Sequence, residues 1–424
     1  MGILRTLLLG LLLCPALLAV GPAGACLAQG TASTGPFRFE NSRRHQARIP
    51  LQIQRNLLVV SAMLNGYGPF NFLLDTGVAT TIITSPALAD SLQLRHGQIF
   101  RITGAGGSNT GLQAYQADSV RVGLAGIVAD YMPVLVLSQD VLNLSGYVGM
   151  PIHGILGSEL FRSFVVTLRP EESHLIATQP EAFRAPKGRL WSSLPLSVEN
   201  NKAYFTAPVQ LTDSLMLPLK LVLDTGASHA LSIELDSDSR LQAPAHRLQA
   251  DLGRGLTGVV EGFLGRVPRL QLGRYSLPNV LTSFPNSADV HRRVDVPRNG
   301  NVGYELLKRF SLVIDYPHQR LLLRPNQQFR DNFEHDMCGI ELMAVGADLR
   351  RYIILRVMPN SPAAAAGLQP EMELVSINLI PANFFNLTQL SRMMHSEDGR
   401  NLLLLLRRPD GELQTTTVRL KRQI

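Results

Sequence analysis

Cysteine is scarce in this chain of 424 residues, which contains only Cys14, Cys26 and Cys338. Cys14 lies in an apolar N-terminal segment, so at most two cysteines remain if that segment is removed. Two cysteines do not provide the disulfide framework of a small secreted domain. With 45% hydrophobic and 17% charged residues, the chain can bury ordinary cores, and its length is enough for about two to four domains.

Long runs of one charge are also absent. The formal net charge is +7, but the densest basic clusters are pairs such as Arg292-Arg293 and Arg407-Arg408. A nucleic-acid-binding surface needs basic residues concentrated in a patch or stripe. Scattered basic residues are typical of a solvated surface, so we expect no nucleic-acid partner.

The N-terminus has the pattern of a secretory signal peptide. An apolar run over residues 6–20 follows Arg5 and leads to Ala23-Gly24-Ala25-Cys26. A basic start, an apolar core and an Ala-x-Ala site predict a signal over residues 1–28. We therefore expect an exported protein of the periplasm or cell envelope, with a polar linker over residues 29–45.

Two alternatives to a simple cleaved signal stay open. An uncleaved membrane anchor is one, because the apolar run approaches the roughly 20 residues that span a bilayer. The other is a bacterial lipoprotein, in which Cys26 is the lipidated first residue and associates the protein with the membrane.

One short motif occurs twice, at Asp75-Thr76-Gly77 and at Asp224-Thr225-Gly226. In both places an apolar run leads into the motif, which predicts a buried strand ending at the aspartate. A carboxylate in that position is costly unless it is hydrogen-bonded or functional. The aspartates are 224 − 75 = 149 residues apart. This spacing indicates a duplicated domain that brings two carboxylates to one site.

Other landmarks repeat in the same order. Glycine-rich segments start at Gly104 and Gly253, again 253 − 104 = 149 residues apart. Ile155-Leu156-Gly157 in the first half corresponds to Asn301-Val302-Gly303 in the second. We therefore predict a first repeat over residues 46–180 and a second over residues 188–330. The glycine-rich segments lie between predicted strands and are interpreted as hairpins. They are not phosphate loops, because no Lys-Ser/Thr follows them.

The composition changes near residue 337. A strand at Gly339-Ile340-Glu341-Leu342 is followed by a short helix that starts at Pro362 and stops at Gly367. Residues 337–424 resemble a PDZ domain of the bacterial envelope-protease type. The resemblance implies that Gly339, Ile340, Glu341 and Leu342 bind an extended peptide or a chain end, with backbone N–H groups holding a carboxylate. The alternative is a domain that packs on the rest of the chain and binds nothing.

Taken together, the paired motifs and late glycines resemble the aspartic protease superfamily of pepsin and the retroviral proteases. More narrowly, the chain resembles bacterial aspartyl-protease-like proteins with tandem retropepsin-like repeats and a PDZ domain. The implied fold is mainly β, with two retropepsin-like β-barrel repeats that form a pseudo-dimer and a β-rich α+β PDZ domain. The implied function is an exported aspartic endopeptidase that acts on polypeptides without a metal or other cofactor.

The predicted catalytic residues are Asp75 and Asp224. Two carboxyl groups within hydrogen-bonding distance cannot both ionise cheaply, so the pair holds one proton and activates a water between them. The resemblance implies supporting roles for Thr76, Gly77, Thr225, Gly226 and Ser228. It also implies substrate-binding flaps that contain Gly104, Ala105, Gly106, Gly253, Arg254 and Gly255.

The two motif loops are unequal. The first continues with Val78-Ala79 and has no hydroxyl at the position of Ser228. A non-catalytic peptide-binding scaffold with a degenerate protease fold is therefore an alternative function. A site formed between two chains is an alternative arrangement. We interpret His229 as a surface or supporting residue.

Overall fold

The structure is a computed structural model that describes residues 35–102, 112–255, 258–290 and 296–424. The predicted signal over residues 1–28, including Cys26, lies outside the described residues. Within the ranges above, no helix is long and apolar enough to cross a membrane.

The first repeat consists mostly of strands, as the alternating apolar pattern predicts. Its strands are β1 (Arg38–Phe39), β2 (Gln46–Gln54), β3 (Leu57–Leu64), β4 (Tyr67–Leu74), β5 (Ile82–Ile83), β6 (Ile99–Ile102), β7 (Leu112–Leu124), β8 (Ile127–Leu137), β9 (Gly154–Leu156), β10 (Val165–Leu168) and β11 (His174–Thr178). Its helices are α1 (Pro86–Ser91), α2 (Leu144–Val148) and α3 (Glu159–Ser163).

The second repeat has the same order of main elements. Its strands are β12 (Ser192–Pro195), β13 (Ser197–Glu199), β14 (Lys202–Gln210), β15 (Met216–Leu223), β16 (Leu231–Ile233), β17 (Arg247–Gly255), β18 (Gly258–Leu272), β19 (Tyr275–Pro285), β20 (Gly300–Val302), β21 (Phe310–Asp315) and β22 (Arg320–Pro325). Its helices are α4 (Ser287–Val290) and α5 (Tyr304–Leu307).

The C-terminal domain has its own sheet and its own core. Its strands are β23 (Ile340–Val345), β24 (Arg351–Val357), β25 (Glu373–Ile377), β26 (Ile380–Pro381), β27 (Asn401–Arg407) and β28 (Leu413–Arg419). Its helices are α6 (Pro362–Ala365) and α7 (Leu387–Met394). Short 3₁₀ turns over the described residues are Pro180–Ala182, Leu235–Ser237, Gln327–Arg330 and Ala382–Phe384.

The strand that leads into each aspartate has equivalent neighbours in the two repeats. In the first repeat, the order is β4-β9-β5-β8, and β4 pairs with β9 in parallel. In the second repeat, the order is β15-β20-β16-β19, and β15 pairs with β20 in parallel. The late glycine-containing elements of the sequence are therefore β9 and β20, each beside a motif strand.

A sheet shared by the two repeats joins them within one chain. Its order is β12-β22-β21-β10-β11-β2, and the repeats meet where β10 pairs antiparallel with β21. Strand β21 is buried along its whole length. A fully buried strand suits its apolar sequence and contributes a hydrophobic interface between the repeats. The mainly β fold with a pseudo-dimer of repeats is confirmed, and the arrangement is intramolecular.

The polar stretch over residues 29–45 is not a linker along its whole length. Strand β1 pairs antiparallel with β8, and Phe37 and Phe39 are buried in the main core. Phe39 packs on Phe164, with ring centroids 4.8 Å apart. Two aromatic side chains in a polar segment are enough to fix it to a core, so the described part of this segment belongs to the first repeat.

In the C-terminal domain, the strand order is β23-β24-β25-β27-β28. Helix α6 starts at Pro362 and is capped by Ser361, whose Oγ accepts the N–H of Ala364. Helix α7 starts with a capping box formed by Asn386 and Gln389. This cap fixes the start of the helix, because it satisfies backbone N–H groups that the first turn leaves free.

Candidate active site

Asp75 and Asp224 lie together between the two repeats, where the ends of β4 and β15 approach each other. Their carboxyl groups lie close together, since a Cβ placed on Gly77 would be 2.9 Å from Asp224 Oδ1 and 3.0 Å from Asp75 Oδ1. Each aspartate is held in register by its backbone: Asp75 N donates to Leu156 O at 2.9 Å, and Asp224 N donates to Val302 O at 3.0 Å. The parallel pairing of each motif strand with β9 or β20 therefore places the carboxyl groups at a common point.

The glycine of each motif is needed because the opposite aspartate comes close. Neither Gly77 nor Gly226 has a positive φ. A Cβ on Gly77 would lie 2.9 Å from Asp224 Cγ, and a Cβ on Gly226 would collide with the Asp75 carboxylate. The backbone N–H groups also donate to the carboxylates, from Gly77 to Asp75 Oδ1 at 2.6 Å and from Gly226 to Asp224 Oδ1 at 3.1 Å. These positions need glycine because the opposite carboxyl group leaves no room for a side chain, and not because the backbone has an unusual conformation there.

The two threonines link the motif loops by reciprocal hydrogen bonds. Thr76 Oγ1 donates to Leu223 O at 2.6 Å, and Thr225 Oγ1 donates to Leu74 O at 2.9 Å. Each hydroxyl also accepts the backbone N–H of the other threonine, at 3.1 Å for Thr76 N and 2.9 Å for Thr225 N. Both threonines are 0% exposed. A fully satisfied buried network of this kind holds the two loops in one geometry.

Asn301 makes the two aspartates unequal. Its side-chain amide donates to Asp224 Oδ2 at 2.8 Å. The corresponding residue of the first repeat is the apolar Ile155, which has no side-chain donor for Asp75. A hydrogen bond from a neutral donor favours the charged form of a carboxyl group. The position that differs between the repeats therefore favours a negative charge on Asp224.

Burial and the Asp224 carboxylate raise the pKa of Asp75 to about 8. The Gly77 N–H and the more distant Lys202 act in the opposite direction and are weaker. Near neutral pH the protonated form of Asp75 is therefore favoured. The sequence alone assigned neither role, because a coupled pair titrates as a unit.

His229 is half-buried and lies next to Asn301. Its Nε2 lies 3.3 Å from Asn301 Oδ1, and burial lowers the pKa of the imidazole. Since the amide NH₂ of Asn301 points to Asp224, its oxygen faces His229 and requires a donor there. A neutral His229 with a proton on Nε2 meets that requirement.

The supporting role of Ser228 stays a prediction. Asp224 receives its hydrogen bonds from Gly226 and Asn301, whereas Ser228 uses its backbone carbonyl to accept the Asn56 amide at 3.4 Å. Asn301 and His229 were therefore missed as site residues. The signal that pointed to them was an asparagine where the first repeat has an isoleucine.

The structure describes one of the two predicted sets of flap residues. Gly104, Ala105 and Gly106 lie outside the described residues. Gly253, Arg254 and Gly255 form the end of β17, and they pair with Val260, Val259 and Gly258 of β18. The second glycine-rich segment is thus a β-hairpin, with a register shift between Asp251 and Gly253.

The predicted peptide-binding residues of the C-terminal domain do hold a carboxylate, but it belongs to the same chain. Backbone N–H groups of Cys338, Gly339 and Ile340 donate to the Asp336 carboxylate at 2.7 to 3.1 Å. Glu341 and Leu342 continue the strand β23 that starts at Ile340. In this conformation the loop is therefore filled by Asp336.

A cavity of about 790 Å³ connects the neighbourhood of the second motif to the C-terminal domain. Its walls include Ser228 and His229, the hairpin residue Arg254, and Leu342 and Leu387 of the C-terminal domain. A cleft of this volume is in the range that binds small molecules or peptide side chains.

Comparison with known proteins identifies two domains. The family model for aspartyl proteases matches residues 60–160, and the family model for PDZ domains matches residues 353–408. Among curated proteins, no relative matches this chain.

Among solved structures, basic 7S globulin from soybean is similar to this chain over 68% of this chain and 97% of its own, with 8% sequence identity and a TM-score of 0.38. The aspartyl protease match includes the Asp75 loop, and the PDZ match lies within the C-terminal domain. This chain thus contains an aspartyl protease domain, matched over residues 60–160, and a C-terminal PDZ domain, matched over residues 353–408.

Proposed function

We propose that the protein is an aspartic endopeptidase that hydrolyses peptide bonds with the Asp75–Asp224 pair. The observation that carries this proposal is the close approach of the two carboxyl groups, both of which lie within about 3 Å of where a Gly77 Cβ would be, and which a duplicated loop structure holds in place. Two carboxyl groups that share a proton provide an acid and a base at one point.

The unequal surroundings of the aspartates support different roles for them. The charged Asp224 takes a proton from a water bound between the carboxyl groups, and the protonated Asp75 gives its proton to the carbonyl oxygen of the peptide bond. The water oxygen forms the new bond to carbon and a gem-diol results. Asp224 then gives its proton to the leaving nitrogen, while a gem-diol hydroxyl returns a proton to Asp75 as the C–N bond breaks.

The substrate is a polypeptide held in extended form. The hairpin β17–β18 supports this part of the proposal, because a β-hairpin over a cleft can pair with an extended chain. The PDZ domain adds a second site for an extended peptide or a chain end. The signal over residues 1–28 supports export to the periplasm or cell envelope, with lipidation of Cys26 as the alternative mode of membrane association.

Casein and peptide cleavage by the purified protein tests the proposal over a pH range from about 4 to 9. We expect Asp75→Asn and Asp224→Asn each to reduce kcat by about 10³-fold or more, because each removes one of two groups that act together. Asp213→Asn is the matched control, since Asp213 is exposed in the turn after β14. Full activity in either motif variant would show that the dyad is not the catalytic group.

The same experiment separates the alternative function. If a folded protein binds peptides but cleaves none at any pH in this range, a non-catalytic scaffold is the better description. Export is tested independently by fractionation and by the N-terminal residue of the mature protein, with Cys26→Ser as the variant that removes a lipidation site.

A further inference from the structure

Strand β23 is the edge strand of the C-terminal sheet, and its outer edge faces the first repeat. Its partner on the other side is β24. Alternate residues of an antiparallel strand direct their N–H and C=O groups to the same side. Ile340, Leu342 and Ala344 form such a set. Their outward-facing backbone groups contact other parts of the chain.

The chain covers all three positions of this edge. Ile340 N donates to Asp336 Oδ2 at 3.1 Å. Leu342 O accepts from Arg55 Nη1 at 3.3 Å. Ala344 O lies against helix α2 so closely that a Cβ on Gly146 would be 3.0 Å from it. We define these three contacts as the closed edge.

Arg55 is held firmly in this arrangement. Its Nη1 also donates to Tyr147 O at 3.0 Å, and its guanidinium lies 4.3 Å from the centre of the Tyr147 ring. Its backbone N–H donates to Thr388 Oγ1 at 3.0 Å, and Thr388 in turn donates to Gln54 Oε1 at 2.8 Å. The first repeat is therefore attached both to β23 and to α7, the two elements between which a PDZ ligand would lie.

The closed edge supplies the chemical groups that an added peptide strand would supply. Asp336 presents a carboxylate to the loop N–H groups, as a chain end does. Arg55 presents an N–H donor to Leu342 O, as a peptide backbone does. An extended peptide binds a free sheet edge through these same backbone groups, so the two arrangements exclude each other.

We propose that the ligand edge of the PDZ domain is closed by the chain itself, and that an extended peptide with a free terminal carboxylate binds there by displacing Asp336, Arg55 and helix α2. This inference deepens the peptide-binding part of the proposed function and does not depend on hydrolysis. A closed state lowers the apparent affinity for peptide in proportion to the fraction of molecules that are open.

Fluorescence anisotropy tests the proposal with the full chain carrying Asp75→Asn, so that cleavage does not interfere. The probe is a fluorescein-labelled peptide of about eight residues that ends in Leu-Val with a free carboxylate. We expect the double variant Arg55→Ala/Asp336→Asn to bind at least about tenfold more tightly than the parent, because both internal competitors are weakened. The same peptide with a C-terminal amide should gain much less.

Asp410→Asn is the matched control, because Asp410 lies in the β27–β28 turn of the same domain and bonds only locally, to Glu412 N at 2.9 Å. Its affinity for the probe should equal that of the parent. Equal affinity in the parent and the double variant would overturn the proposal, as would the absence of binding to either protein.

Hydrogen exchange of the parent provides a second measurement, which remains informative if the double variant does not fold. Adding the probe at saturation should increase exchange in residues 144–148 and around Arg55, because α2 leaves the edge. Binding without such an increase would overturn the proposal. Thr388→Val, which removes two contacts of α7 with the first repeat, should raise the affinity by a smaller factor.

Discussion

The two Asp-Thr-Gly loops share a scaffold but differ in their chemistry. In both, the threonine hydroxyl bonds across to the other loop and the glycine allows the opposite carboxylate to approach. Only the second loop has a side-chain donor behind its aspartate, Asn301, where the first repeat has Ile155. The two loops thus share one geometry, while a single later position gives the Asp224 carboxyl group a side-chain donor that Asp75 lacks.

A second difference lies immediately after the late glycines. Glu159 is buried and accepts both the N–H and the hydroxyl of Thr81, at 2.8 and 3.0 Å. Its counterpart Glu305 pairs with Lys308 and also accepts from Asn56 of the first repeat at 2.7 Å. The first repeat thus uses this carboxyl group within itself, whereas the second uses it to contact its neighbour.

The largest effect is expected from breaking the shared scaffold. Thr76→Ala removes two buried hydrogen bonds and leaves Leu223 O and Thr225 N without partners. We expect the free energy of unfolding to fall by roughly 2–4 kcal/mol. Denaturant unfolding measures this change, and Thr76→Ser, which keeps the hydroxyl, is the control. A loss no larger than that of Thr76→Ser would show that the hydroxyl network contributes little.

A smaller effect on the free energy of unfolding is expected from the proton that Asp75 carries. Its pKa is about 8 in the folded protein against 3.8 without the protein environment, so the unfolded chain loses this proton first as the pH rises. Stability therefore decreases between about pH 4 and pH 8. Asp75→Asn removes this penalty and should raise the free energy of unfolding at pH 8 by on the order of 2 kcal/mol. The gain should vanish near pH 4, and a gain independent of pH would contradict the assignment.

The pH dependence of cleavage follows from the same proton. Activity needs a protonated Asp75, so kcat/KM should fall as the pH rises through about 8. Measuring kcat/KM from pH 4 to pH 10 in buffers of constant ionic strength checks this limb. A decline centred near pH 5 would indicate that Asp75 has lost its proton well below neutrality.

Replacing Asn301 by the isoleucine of the first repeat should have a moderate effect on kcat. Asn301→Ile removes the donor to Asp224 Oδ2 and reproduces the first repeat. We expect kcat to fall about tenfold, as is usual for loss of one hydrogen bond to a charged group, with the acidic limb of the pH profile displaced upward. The double exchange Ile155→Asn/Asn301→Ile, which moves the donor to Asp75, is the sharper comparison. An unchanged pH profile in both variants would show that Asn301 does not influence the pH dependence of cleavage.

The smallest effect on kcat is expected from replacing His229, which lies next to Asn301. His229→Leu removes the partner of the Asn301 oxygen, which lies 3.3 Å from the imidazole. Because this residue acts through Asn301, we expect kcat to fall only about threefold, with KM unchanged. His229→Gln keeps a donor in that region and should recover part of the loss. A rise in KM larger than the fall in kcat would point to a direct role in substrate binding.

Much of this architecture follows from local patterns in the sequence. Apolar runs that end at Asp75 and Asp224 predicted the buried strands, and the repeated spacing predicted the paired aspartates. Ser361-Pro362 and Gly367 marked a capped helix and its end. Such features depend on neighbours within a few residues, and this is why a sequence pattern predicts them.

The contacts that distinguish the two halves depend on residues far apart in the chain. Asn301 and Asp224 are 77 positions apart, and Arg55 and Leu342 are 287 apart. Their meeting depends on how whole sheets pack, and no local periodicity encodes it. The sequence by itself therefore determined the duplication, the strand ends and the pair of aspartates. Only the tertiary structure decided that Asn301 donates to Asp224, that burial raises the pKa of Asp75, and what covers the edge of the PDZ domain, because all three follow from long-range packing.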